Sequence, residues 1–144
     1  METTPLIIEH AVNAAPSFVW DALTNNDKMK RWYFEIPAFE PEIGYKFEFS
    51  GGPEDGEKYL HQCIVTAVEP ERKISYTWNY AHIEGSSEVS FDLIPQGDDK
   101  TLVRVNHIGL ETFPKDRSEF ARESFEQGWN YIIGTNLKNF VEQR

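Results

Sequence analysis

The sequence predicts an α+β fold in which a curved antiparallel sheet wraps around a long C-terminal helix, with two short helices after the first strand. Three observations predict it. Two short segments with helical spacing, one carrying Trp20 and the other Trp32, lie near the start; period-two alternation fills the middle; one amphipathic helix closes the chain. The strands follow one another at hairpin spacing, which is the pattern of antiparallel pairing.

The first strand is read over Leu6 to Val12, apolar at both ends and interrupted by Glu9. A helix then begins at Ala15-Pro16, where Pro16 pre-sets φ for the first turn and Val19, Ala22 and Leu23 share one side. Asn26 is read as the cap of a second helix over Asp27 to Trp32, with its acidic residue in the first turn and its basic ones later, as the helix dipole favours. Pro37 and Pro41 make the stretch from Phe34 to Pro41 an extended edge or a loop. Tyr45, Phe47 and Phe49 then face one way and Lys46, Glu48 and Ser50 the other. Gly51 to Gly56 reads as a turn, Lys58 to Val68 as a long strand, and Glu69 to Arg72 as a hairpin connection.

The next alternation aligns Ile74, Tyr76, Trp78 and Tyr80 in one row. Val89, Phe91 and Leu93 form a further inward set, Pro95 to Asp99 turns the chain, and Val103, Val105 and His107 line the last strand. The closing helix is read from about Asp116 to Glu142. Ala121, Phe125, Gly128, Trp129, Ile132, Ile133, Leu137 and Phe140 gather on half of its circumference, which predicts burial of that half. Asn136 falls inside the stripe and needs a partner. Gly128 either lets the helix approach the sheet or leaves space beside Trp129.

A chain of 144 residues without repeats or linkers is read as one domain spanning residues 1–144. A domain of this size buries roughly 68–70% of the surface its unfolded chain exposes, enough to fold without disulfides or metal. The 14 Lys and Arg against 24 Asp and Glu give a formal charge of −10, which repels a phosphate backbone and anionic membranes. No apolar run approaches the roughly 20 residues of a membrane helix. Met1 to Pro5 lack the basic and apolar regions of a signal peptide, and the expected location is cytoplasmic.

Tyr76, Trp78 and Tyr80, with Trp32, Phe125, Trp129 and Ile132, either fill a core or wall a pocket for an apolar or aromatic molecule. His107, on the apolar face of its strand, is either a satisfied core histidine or a group that orients a ligand or moves a proton. Asn136 either orients a polar ligand group or bonds the sheet. His10, His61 and His82 have no metal-ligand spacing, and neither metal nor cofactor is expected. Cys63 is the single cysteine. It shares a strand face with His61 at a spacing of roughly 7 Å, unsuited to a Cys-His nucleophile, and reads as a small buried thiol. Glu88 and Asp92 read as surface charges, and the glycines at 51–52 and 85 lack phosphate-loop context. No catalytic residue is assigned.

The run Ala15-Pro16-x-x-Val19-Trp20-x-Ala22-Leu23-Thr24, then Arg31-Trp32 and Ile43-Gly44-x-x-Phe47-x-Phe49, resembles the family of homologues of the activator of the ninety-kilodalton heat-shock protein's ATPase. Val68-x-Pro70, Tyr76-Thr77-Trp78, His107-x-Gly109, Gly128-Trp129 and Leu137 continue the resemblance in the same order over nearly the whole chain. It implies the helix-grip fold of the START-like, Bet v-like (SRPBCC) superfamily, with an apolar cavity between sheet and last helix. Superfamily relatives bind lipids, hormones or polyketides, and some catalyse aromatisation or cyclisation. The leading expectation is a small soluble protein that binds a hydrophobic or aromatic small molecule, lipid- or polyketide-like. Its alternatives are a cyclase or dehydratase in which His107 moves a proton, and an interaction module that contacts the chaperone.

Overall fold

The computed structural model describes residues 5–51, 58–114, 116 and 120–143. Strand β1 (Leu6–Val12) leads into helices α1 (Pro16–Thr24) and α2 (Asn26–Trp32). Strands β2 (Lys46–Gly51), β3 (Tyr59–Glu69), β4 (Lys73–Thr77), β5 (Asn79–Tyr80), β6 (Glu88–Pro95) and β7 (Thr101–Ile108) follow. A 3-10 turn at Leu110–Thr112 connects them to helix α3 (Arg122–Tyr131), a π-helical segment (Ile132–Leu137) and α4 (Lys138–Glu142).

The strands lie in the order β1-β7-β6-β4-β3-β2, with β5 paired to β3, and each pairing is antiparallel. The curved sheet grips the C-terminal helix, which is the helix-grip arrangement expected. Alternation explains the two faces: Val89, Phe91 and Leu93 of β6 and Val103, Val105 and His107 of β7 point inward and are buried. Trp129 meets Phe91 at 5.6 Å between ring centroids, and Phe125 meets the His107 ring at 5.3 Å, so the helix packs on that inward face.

Local chemistry moves some expected boundaries. The cap of α2 is Asn25 rather than Asn26: its side-chain oxygen accepts from the N–H groups of Asp27 and Lys28 at 3.0 and 3.3 Å. Asn26 instead donates to the Ile36 carbonyl at 2.9 Å, tying the following loop to the helix. The long strand is shifted by one residue, to Tyr59–Glu69. Residues 52–57, which hold most of the expected Gly51–Gly56 turn, lie outside the described residues, and Gly51 itself ends β2.

The row Ile74, Tyr76, Trp78 and Tyr80 is buried throughout, yet it is not one strand. A register shift in β3 between Val65 and Ala67 disturbs the ladder. The Ile64 N–H turns to Thr77 Oγ1 at 2.8 Å, and the Trp78 N–H crosses to the Ser87 carbonyl at 2.8 Å. The aromatic row survives because a change of hydrogen-bond partner does not require a change of face.

The final helix starts at Arg122, six positions after the expected Asp116. Phe120 explains the delay, because its ring turns inward against Tyr80 at 4.9 Å and Tyr59 at 5.2 Å while Ala121 stays extended. Phe125, Trp129, Ile133, Leu137 and Val141 are the helix residues buried deepest, each four positions after the last. An α-helix turns about 100° per residue and would rotate such a stripe by about 40° at every step. The wider π segment at Ile132–Leu137 resets the phase, keeping Leu137 and Val141 inside. Gly134 sits in that segment against β1, where an added Cβ would lie 2.7 Å from His10 Cε1.

Candidate functional site

A cavity of about 640 Å³ opens between the sheet and the final helix. That volume lies within the roughly 300–1,000 Å³ typical of small-molecule sites. The strands supply Gly51, Tyr59, His61 and Tyr80, and Trp78 stands between β4 and β5; the segment after α2 supplies Tyr33 and Phe34. Phe120, Ser124, Phe125, Gly128, Trp129, Tyr131, Ile132 and Asn136 close it from the C-terminal side. Trp78, Tyr80, Phe125, Trp129, Ile132 and Asn136 of the expected residues therefore stand on its wall.

Two glycines shape the space. A Cβ built on Gly128 meets no atom within 4 Å, so of the two readings of this residue the open space beside Trp129 is the one observed. A Cβ on Gly51 would lie 3.1 Å from both His61 Cε1 and Phe34 Cε1, so the bare backbone lets these rings close over the end of β2.

The wall is built from rings that meet largely edge to face. Trp78 and Trp129 are 5.2 Å apart at 60°, His61 and Trp78 4.8 Å at 81°, and His61 and Tyr80 4.7 Å at 61°. Such geometry sets the positive edge of one ring on the negative face of the next. The Trp78 indole donates to the Tyr80 hydroxyl at 2.8 Å, and the Tyr33 and Tyr76 hydroxyls are paired at 2.8 Å.

The described lining carries no Lys, Arg, Asp or Glu. Burial holds three of its titratable groups neutral: His61 is pushed down to about 4, while the Tyr33 and Tyr80 phenols are pushed well up. His61 Nδ1 donates to the Tyr59 carbonyl at 3.0 Å. The Asn136 side chain, half-buried, makes no hydrogen bond among the described residues.

Trp32, Tyr76 and His107 stand behind the wall instead of on it. Trp32 donates to the Ala22 carbonyl at 2.8 Å and stacks on Tyr33 at 4.9 Å, backing a residue that does line the cavity. Tyr76 backs the same residue through its hydroxyl. His107 is fully buried with both ring nitrogens engaged, by Trp129 at 3.0 Å and Ser87 at 2.9 Å, and burial pushes its pKa down to about 3. It is a satisfied core histidine that does not line the cavity. Alternation gives the face of a strand and not the depth beneath a covering helix, so it does not separate Tyr76 and His107 from the wall, while Trp32 ends α2 and carries no such signal.

Tyr33, Phe34, Tyr59, His61 and Phe120 line the cavity as well, beyond the residues the sequence points to. His61 and Tyr59 had a signal, since they share the inward face of β3 with Cys63 and Val65 and His61 pairs with Tyr80. Tyr33 and Phe34 follow a helix end and carry no period. Cys63 is buried and its thiol is pushed up by burial, which makes it inert. Among the described residues no three His, Cys, Asp or Glu side chains gather into a metal site, and no helix is long and apolar enough to cross a membrane.

Several solved structures share this fold. The protein MLL2253 from Mesorhizobium loti is 27% identical, with a TM-score of 0.79 over 96% of this chain and 97% of its own. CalU16 from Micromonospora echinospora is 24% identical, with a TM-score of 0.72 over 95% of this chain and 73% of its own. DynU16, described as a putative protein in the dynemicin biosynthetic locus, is 20% identical, with a TM-score of 0.75 over 96% of this chain and 47% of its own. No curated protein matches the sequence. The profile of the family described as "Activator of Hsp90 ATPase homolog 1-like protein" matches residues 13–142, and the chain belongs to that family.

Proposed function

We propose that this chain, acting as one domain, binds a neutral hydrophobic or aromatic small molecule, lipid- or polyketide-like, between the sheet and the final helix. The observation that carries the reading is the ring-walled cavity of about 640 Å³ whose described lining holds no charged side chain. Each 200 Å² or so of apolar ligand surface removed from water would contribute about 5 kcal/mol. Asn136, with an unpaired amide in the wall, would meet one polar substituent. An ionised ligand would enter without a counter-charge from the described wall and lose affinity accordingly. The description of DynU16 as a putative protein in the dynemicin biosynthetic locus supports a small-molecule ligand of this kind.

Binding is favoured over cyclisation because His107, the candidate proton carrier, has both nitrogens occupied and does not line the cavity. The family's description also supports a second reading, contact with the chaperone, which stimulation of that chaperone's ATPase by the purified chain would test.

Native mass spectrometry of freshly purified protein tests the leading reading through a retained small molecule. Titration with the neutral fluorophore N-phenyl-1-naphthylamine complements it, with quenching of tryptophan emission as the signal. Replacing Ile132 by Trp fills the cavity and should abolish probe binding, at an overpacking cost of about 1–3 kcal/mol. A folded Ile132→Trp variant that binds as tightly as the parent would place the probe elsewhere.

A further inference from the structure

Ser87, His107 and Gly109 do not line the cavity, yet their contacts converge on its two tryptophans. The Trp129 indole donates to His107 Nδ1 at 3.0 Å. An indole nitrogen only donates, so Nδ1 is the acceptor and the neutral imidazole carries its proton on Nε2. Nε2–H donates to Ser87 Oγ at 2.9 Å, and Ser87 Oγ–H donates onward to the Trp78 carbonyl at 2.5 Å. The bonds run in one direction from the indole of one cavity tryptophan to the backbone of the other. No other arrangement of the protons satisfies all of them.

Trp78 depends on this chain more than a strand residue would. It lies between β4 and β5, outside both, and its N–H bonds the Ser87 carbonyl at 2.8 Å. Both backbone polar groups of Trp78 are thus held by Ser87. Gly109 supports Ser87 from the other side. Its φ is 88°, and a Cβ there would lie 2.5 Å from the Ser86 carbonyl oxygen and 3.0 Å from Ser87 Cα. Only glycine combines that backbone conformation with so close a passage. The His107-x-Gly109 spacing at the end of β7 therefore grips the same serine twice.

We propose that Ser87, His107 and Gly109 are positioning residues for the cavity: they clamp the Trp78–Trp129 pair in its edge-to-face arrangement and so set the shape a ligand meets. The proposal rests on the reading of the cavity as a ligand site. The clamp is preorganised, because each of its hydrogen bonds exists before any ligand arrives, and a wall fixed in advance loses less freedom on binding.

The test uses ligand-free protein first and N-phenyl-1-naphthylamine second. In His107→Leu the Trp129 indole N–H resonance should move upfield and the Trp–Trp exciton couplet in circular dichroism should collapse. Probe affinity should fall about 10–100-fold. His107→Gln, which can accept from Trp129 and donate to Ser87, should restore much of both signals. Ser87→Ala removes the link to the Trp78 carbonyl and the acceptor of His107 Nε2–H, leaves the Trp129–His107 bond, and keeps the test decisive where His107→Leu fails to fold. It should weaken the couplet and reduce affinity about 3–10-fold while leaving the Trp129 resonance in place. An unchanged couplet in folded His107→Leu or Ser87→Ala overturns the clamp. A collapsed couplet with parental probe affinity overturns its bearing on the ligand. If the parent binds no probe while the couplet still depends on His107, the ligand reading fails and the clamp on the tryptophan pair stands.

Discussion

The space beneath the C-terminal helix has a filled half and an open half, although both are rich in rings. Against β1, β7 and β6 the packing is complete: Phe91 and Val105 are almost wholly buried, Trp129 and Phe125 flank His107, and Gly134 touches His10. Toward β3, β5 and the end of β2 the rings of Phe34, His61, Trp78, Tyr80 and Phe120 stand around a void. Side-chain size does not explain the difference. Backbone placement does. In the filled half the helix approaches through a glycine onto β1, whereas in the open half Gly128 withholds a side chain opposite Trp78, which lies between β4 and β5. Aromatic rings packed edge to face build a rigid wall, but only a neighbouring backbone can bring another side chain in to fill what they enclose.

Acid should strain both halves through one buried histidine each. His107 sits at about 3 and His61 at about 4, below the ordinary 6.5 because burial disfavours the charged ring. The unfolded chain takes up these protons near pH 6.5 and the native protein only near 3 or 4. Stability is therefore full above about 6.5 and lost as pH falls through that window, by roughly 3 kcal/mol from each histidine near pH 4. Urea unfolding at neutral pH and near pH 4 measures the loss. His107→Gln and His61→Asn should each remove about half of the pH dependence, and an unaltered slope in both would contradict this assignment.

Neighbouring isoleucines offer a sharper contrast. Ile133 is fully buried away from the cavity, and Ile133→Ala should destabilise by about 2–5 kcal/mol. Ile132 is only half-buried and borders the void, so Ile132→Ala should cost less, about 1 kcal/mol, while weakening probe binding. Equal losses in denaturant midpoints would erase the distinction between the halves.

Two glycines of the same helix give the smallest effects and opposite signs. At Gly128 a methyl enters open space, so Gly128→Ala should stabilise by about 0.5–1 kcal/mol through helix propensity while narrowing the cavity. At Gly134 the methyl meets the His10 ring, whose Nε2 is bonded to Asn130 Oδ1 at 2.8 Å, and Gly134→Ala should destabilise by about 1 kcal/mol. Melting temperatures that rise for the first variant and fall for the second would bear this out; a rise for both would mean that His10 moves freely.

Much of this architecture was legible in the sequence because it rests on period. The alternations of β2, β6 and β7 give their inward faces directly, and the helix stripe locates its buried side. The spacing of four from Phe125 to Val141 also held a sign of the π segment, since no uniform α-helix keeps that spacing on one face. The cavity was legible only in part. Trp78 and Trp129 are legible because they fall on periodic patterns of the sequence, although Trp78 lies between two strands, whereas Tyr33, Phe34 and Phe120 reach the wall from irregular segments whose course depends on tertiary packing. Burial alone could not separate His107, which serves the wall from behind, from Tyr80, which forms it.

Neither tryptophan indole has an N–H left to offer, since that of Trp78 is committed to Tyr80 and that of Trp129 to His107. A pocket of this kind recognises guests by outline. Each surplus or missing methylene changes affinity by only about 10–200-fold, whereas rejection by a factor of 10⁴ or more requires buried hydrogen-bonding groups that go unanswered. Asn136 is one described wall residue positioned to impose that stricter demand, and His61 and Tyr80 bring further polar atoms, so under the proposed reading the protein should tolerate a series of similarly shaped guests and discriminate most sharply at the polar substituents they present.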